Sequence, residues 1–155
     1  MSEVHFETTC DAPVDVAFEY LDDYRHVLDY WHGMVSYTPI GDLNQGLGST
    51  FEAVNKVGPS TLTTTLRTTV WEKNSRVVYE SVSGMDTITV FEFSALGENR
   101  CRIDLRVRFR LPGGVAGRAM EKALAPFVGS ATRNTADNLV REIAAYHRAR
   151  PERRR

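Results

Sequence analysis

Several groups of residues in this sequence have types and spacings that invite a chemical reading. His26, Asp29 and His32 are potential metal ligands. Their i, i+3, i+6 spacing turns the side chains by roughly 300° and 600° on a helix, so they do not share a face. They read as polar residues of the surface or of a cavity mouth, and no metal or other cofactor is expected. Gly46-Leu47-Gly48 has the look of a phosphate cradle. It lacks the Lys-Ser/Thr of a P-loop and the helix that follows a dinucleotide-binding turn, so it reads as a tight hairpin turn. Ser49, Ser60 and the threonines between 61 and 69 have no His–Asp partner adjacent in sequence, and no nucleophile elbow or kinase signature appears. The threonine run, with Leu62, Leu66 and Val70 in alternate places, is a strand pattern. Cys10 and Cys101 are too few for a disulfide framework or a zinc knuckle and read as buried free thiols.

The elements that must position these groups follow from periodicity. Val4, Phe6, Thr8 and Cys10 alternate with Glu3, His5, Glu7 and Thr9, the period of a half-buried strand, and Ala12-Pro13 stops it. Val14, Ala17, Phe18 and Leu21 fall at i, i+3, i+4 and i+7, a short amphipathic helix with Pro13 at its start. A second short helix is expected from Tyr24 to about Tyr30, ended by Gly33. Strands are then expected at about 35–41, 49–57, 61–72, 76–83, 86–95 and 101–111. They are separated by breaks short enough for hairpins and hence an antiparallel sheet. In the last strand Cys101, Ile103, Leu105, Val107, Phe109 and Leu111 alternate with Arg102, Asp104, Arg106, Arg108 and Arg110, giving one apolar and one basic face. The basic row reads as a solvated sheet face, because Glu3 and Glu7 share it with Asp104. After Pro112-Gly113-Gly114 a helix runs to about Tyr146, with Leu124, Val128, Ala131, Thr135, Leu139, Ile143 and Tyr146 on its apolar stripe. Pro126 predicts a kink or break in it. Strand, two small helices, six strands and one long helix make an α+β fold.

The chain has 155 residues and a net charge of −1, with 42% hydrophobic and 25% charged residues. These values describe one globular domain and exclude a wholly basic nucleic-acid binder and a highly charged disordered chain. No apolar run approaches a membrane span. Glu3, Glu7, Asp11 and Asp15 occupy the first fifteen residues in place of a secretory signal, so a cytoplasmic location is expected. The domain is expected over residues 1–147. Residues 148–155 form an Arg-rich tail, read as a solvated appendage, with recruitment to anionic lipid or nucleic acid as the competing reading.

Several motifs together resemble those of the SRPBCC superfamily, which includes START-related lipid-transfer domains and polyketide cyclase/dehydrase proteins. They are the strand end at Asp11-Ala12-Pro13, the helix Val14–Leu21, Tyr30-Trp31 before the second strand and the turn at Gly46-Leu47-Gly48. Val70-Trp71-Glu72 and the closing Leu111-Pro112-Gly113-Gly114 before a long helix belong to the same set. The resemblance implies a helix-grip fold. A seven-stranded curved antiparallel sheet would wrap around the C-terminal helix and enclose an apolar cavity. It further implies that the protein binds, and in some members transports, a hydrophobic or aromatic small molecule or lipid. Trp31, Tyr37, Phe51, Tyr79, Phe91 and Phe127 are then candidates to line the cavity, with Trp31 and Phe127 near its mouth. Arg67, Asn134 and Asn138 are candidates to orient a ligand, since an unpaired buried amide costs roughly 1–3 kcal/mol and needs a partner. The alternative is a polyketide aromatase/cyclase, in which Arg67, Tyr37, Tyr79 and Glu92 would be the candidates to orient a poly-β-keto chain and move protons. Three further expectations can be checked directly. The first and last strands should pair with residue numbers summing to about 111. The cavity should hold roughly 300–1,000 Å³. Asn138 or Asn134 should stand at its wall.

Overall fold

The structure, a computed structural model, describes residues 2–149. Its order is β1 (Ser2–Cys10), α1 (Val14–Asp22), a 3₁₀ turn (Tyr24–His26), α2 (Val27–Tyr30), β2 (Met34–Ile40), β3 (Thr50–Val57), β4 (Ser60–Glu72), β5 (Arg76–Ser83), β6 (Asp86–Gly97), β7 (Arg100–Arg110) and α3 (Gly114–Arg148). All seven strands form one antiparallel sheet in the order β1-β7-β6-β5-β4-β3-β2. This is the helix-grip arrangement expected, with the two short helices between the first and second strands.

β1 and β7 pair in the anticipated register: Val4 faces Val107, Phe6 faces Leu105, Thr8 faces Ile103 and Cys10 faces Cys101. The reason is the matched alternation, because a slip of one residue would turn every apolar side chain to water. Both cysteines are fully buried free thiols. The Cys101 sulfur beside it, with burial second, pushes the Cys10 thiol far above its ordinary range. On the opposite face the arginines are matched by carboxylates. Arg102 lies 3.5 Å from Glu7 and 3.3 Å from Asp104, Arg106 and Arg108 each lie 3.5 Å from Glu3, and Arg110 lies 2.8 Å from Asp86. The row is therefore ion-paired with carboxylates on its own face of the sheet.

The sheet bends through irregularities. β4 and β5 slip register between Thr65 and Leu66 and again between Thr68 and Val70, and β2 slips against β3 between Met34 and Ser36. Each extra residue sharpens the local twist, so the inner face becomes concave. α3 packs across that hollow, against β1, β7 and β3 and against α1 and α2. Its buried residues include Leu124, Val128, Thr132, Thr135, Leu139 and Ile143. Of the kink or break expected at Pro126, the break is absent: the helix is continuous from Gly114 to Arg148. Pro126 and Lys122 are both exposed. The carbonyl that the missing N–H leaves without a partner therefore belongs to a residue that water reaches. α3 ends at Arg148, capped at Ala149. The rest of the basic tail lies outside the described residues. No helix among the described residues is long and apolar enough to cross a membrane.

Candidate functional site

Between α3 and the concave face lies a partly open cavity of about 100 Å³. It is smaller than the range expected from the sequence, because aromatic rings fill much of the hollow. Trp31, from the end of α2, Tyr37 on β2, Tyr79 on β5 and Phe91 on β6 all line it. Phe91 is held edge-on by both Trp31 (ring centroids 6.1 Å apart) and Tyr79 (6.4 Å). Residues that share these inner faces by alternation add to the wall: Thr64 and Leu66 on β4, Thr87 and Thr89 on β6, and Val107 on β7. α3 contributes Val128, Ala131 and Thr132.

The other candidates stand elsewhere. Phe51 is buried behind Tyr37, stacked on it at 4.7 Å, and lines a smaller polar pocket with Asp22, Gln45, Ser49, Thr68 and Trp71. Phe127 lies outside the cavity lining and is 47% exposed. Its ring covers Gly58 so closely that a Cβ there would sit 2.8 Å from it. Gly58 therefore cannot carry a side chain without displacing the ring, and its φ of +58° favours glycine as well. Arg67, expected as an orienting group, is exposed on the outer face, opposite Glu80 in the register. Its neighbours Thr64, Leu66 and Thr68 take the inner positions, and alternation turns Arg67 away. Glu92 likewise lies opposite Arg76 and Asp104 on the outer side of Phe91 and Phe93.

Asn134 is half-buried and outside the cavity wall. Asn138, also expected at the wall, is instead a fastener. Its Nδ2 donates to the carbonyl of Tyr30 at 3.2 Å, and its Oδ1 accepts from Arg141 at 3.0 Å. One turn earlier, Thr135 Oγ1 accepts from the backbone N–H of His32 at 3.0 Å. α3 thus holds the backbone on both sides of Trp31. Opposite, the Gly33 carbonyl accepts from the Lys56 N–H at 2.8 Å, and a Cβ on Gly33 would fall 2.7 Å from the Lys56 carbonyl oxygen. The segment that carries Trp31 is therefore tied both to α3 and to β3.

Tyr30 was not among the candidates read from the sequence, yet it is 3% exposed and lines the cavity. Its signal was available: Val27 and Tyr30 are three apart on α2, and both are buried. Burial raises the hydroxyl pKa of Tyr30, Tyr37 and Tyr79 well above the usual phenol value. Tyr79 adds to the rise at Tyr30 and Tyr37, and the Asp22 carboxylate acts on Tyr30 and Tyr79. Asp22 accepts from Trp71 Nε1 at 2.8 Å and from Gln45 Nε2 at 2.6 Å. Tyr37 and Tyr79 form part of the wall between this polar pocket and the main cavity. His26, considered above as a ligand, stacks on Tyr20 at 4.1 Å, and its Nδ1 lies 2.7 Å from the Tyr20 carbonyl. Among the described residues no cluster of His, Cys, Asp and Glu has the arrangement of a metal site.

Residues 1–144 match the family model described as polyketide cyclase / dehydrase and lipid transport. No curated protein matches the chain in sequence. Among solved structures, the protein TTHA0849 from Thermus thermophilus superposes with a TM-score of 0.79 at 16% identity, over 93% of this chain and 98% of that one. The Zhui aromatase/cyclase from Streptomyces sp. R1128 does so with a TM-score of 0.75 at 17% identity, over 97% of each chain. A START superfamily protein from Mycobacterium smegmatis gives 0.74 at 12% identity, over 91% of this chain and 96% of that one. At these identities the likeness is one of fold.

Proposed function

The chain belongs to the polyketide cyclase/dehydrase and lipid transport family, and from that premise we propose that it binds a hydrophobic or aromatic small molecule in the cavity beneath α3. One observation carries the reading: a largely apolar hollow walled by Trp31, Tyr37, Tyr79 and Phe91 lies between the helix and the sheet. Burying ligand surface there is worth about 25 cal/mol per Å², and the hydroxyls in the wall supply orientation. The cavity volume favours a ligand of about one ring over a long acyl chain, unless the walls part. Native mass spectrometry of the protein purified from its own host tests the reading. A bound small molecule is expected, and Trp31→Ala should lose most of it. A protein that carries nothing, and whose Trp fluorescence no aromatic probe changes saturably, would refute it.

An aromatase/cyclase activity is the second reading. It is supported by Tyr37 and Tyr79 at the cavity, with Asp22 close enough to act on the Tyr79 hydroxyl. Arg67 and Glu92 drop out of it, because they face outward. A poly-β-keto substrate would need a larger hollow than the present one. Turnover of such a substrate that falls in Tyr79→Phe would favour this reading over binding alone.

A further inference from the structure

The cavity has a chemical polarity that its apolar walls do not reveal. Tyr30, Tyr37 and Tyr79 come from three different elements, α2, β2 and β5, and all three line the same hollow. Among the described residues none of their hydroxyls has a protein hydrogen-bond partner. Tyr30 is almost fully buried, so its hydroxyl has the cavity as its only outlet. A hydroxyl that faces an apolar hollow with no protein partner favours a ligand able to hydrogen-bond to it, and three such hydroxyls surround one small space. Phenols donate hydrogen bonds better than they accept them, and burial keeps these three protonated. The basic residues that touch the cavity, His32 and Lys56, are both exposed. A buried carboxylate or phosphate would find no buried cation there, and an unpaired buried charge is strongly disfavoured.

We infer that Tyr30, Tyr37 and Tyr79 form a donor cluster for the carbonyl oxygen of a small uncharged ring compound, and that the cavity selects against the corresponding acids. A carbonyl oxygen has two lone pairs, so two phenols donate to it and the third supports one of them. Trp31, Phe91 and Leu66 take the ring. The inference rests on the binding reading above and names the ligand class for that site.

Three single-ring probes of similar size test it by NMR titration of the intact protein: acetophenone, ethylbenzene and benzoate at neutral pH. Acetophenone is expected to bind about tenfold more tightly than ethylbenzene, the increment of one or two net hydrogen bonds, and benzoate at least tenfold more weakly than acetophenone. In Tyr30→Phe/Tyr37→Phe/Tyr79→Phe the ketone's advantage should vanish while ethylbenzene binds as before. The single variants Tyr37→Phe and Tyr79→Phe, each expected to lose part of the advantage, stand in if the triple variant fails to fold. If ethylbenzene binds the native protein as tightly as acetophenone, or the Phe variants keep the preference, the donor cluster is refuted and the binding reading survives. Benzoate binding equal to acetophenone refutes the selection against charge. If neither neutral probe binds, this inference is refuted, while the binding reading is decided separately by what the protein purified from its host carries.

Discussion

Asn138 shows how a single polar residue on an apolar stripe can be misread. Its position on α3 was legible in the sequence, and so was its need for a partner. That the partner is the Tyr30 carbonyl depends on where α2 ends, and no local pattern encodes this. Arg67 is a similar case. Alternation along β4 turns it outward, but which of the two faces is the inner one is settled by the assembled sheet. The Asn138 geometry makes a prediction about stability. Asn138→Leu should lower the unfolding free energy by about 1–3 kcal/mol, because it strands a carbonyl at the end of α2. Urea melts with Trp fluorescence check this. An unchanged or raised midpoint would show that the carbonyl finds water instead, and that the helix does not depend on this bond to grip α2.

Among the elements, the strands and helices were the most legible part of the chain. Alternation in β1, β6 and β7 fixes both their faces and, for β1 with β7, their register, since both strands keep one face in the core. The elements also account for the cavity residues that were missed. Thr87 and Thr89 share an inner face with Phe91 at a spacing of two, so the period that identified the strand also places them in the wall. In α3 the proline does not break the helix, because of its setting. A proline whose orphaned carbonyl is exposed weakens a helix without ending it. Pro126→Ala should therefore stabilise the protein, by up to about 3 kcal/mol if the new N–H bonds to Lys122 without repacking. A thermal melt reads the sign, and a lower melting temperature would mean that the proline shapes a bend the cavity needs.

At the scale of the whole molecule, Glu121 joins three distant pieces. Its Oε2 accepts from the Ser2 hydroxyl at 2.6 Å and its Oε1 from the Leu111 N–H at 3.3 Å, so α3 holds the start of β1 and the segment just after β7. The Ser2 bond first, and the Leu111 bond after it, hold the Glu121 carboxyl below its ordinary range, and Arg25 does the same for Asp23. Both pKa values are lowered on folding. Their contribution is therefore complete above the unfolded carboxylate values of about 4 and is lost as the pH falls through the folded ones. The stability difference between the native protein and Glu121→Gln should be largest near neutral pH and should shrink on acidification below about pH 4. Urea melts of both proteins across that range measure it. A difference independent of pH would mean that the charge contributes nothing beyond the hydrogen bonds.

If a ligand enters between α3 and the β3–β4 turn, the seat of Phe127 on Gly58 bears on time as well as shape. It joins α3 to the β3–β4 turn beside Val128 and Val57, two residues of the cavity wall. A molecule passing between helix and turn must lift the ring, while one already inside does not touch it. On that route the contact would belong to the barrier and not to the bound state. Removing the ring should speed entry and escape by the same factor and leave occupancy at equilibrium unchanged. In Phe127→Ala, stopped-flow traces should quicken in both directions while the ratio of the two rates stays where it was. A ratio that moves would place the ring in the bound complex.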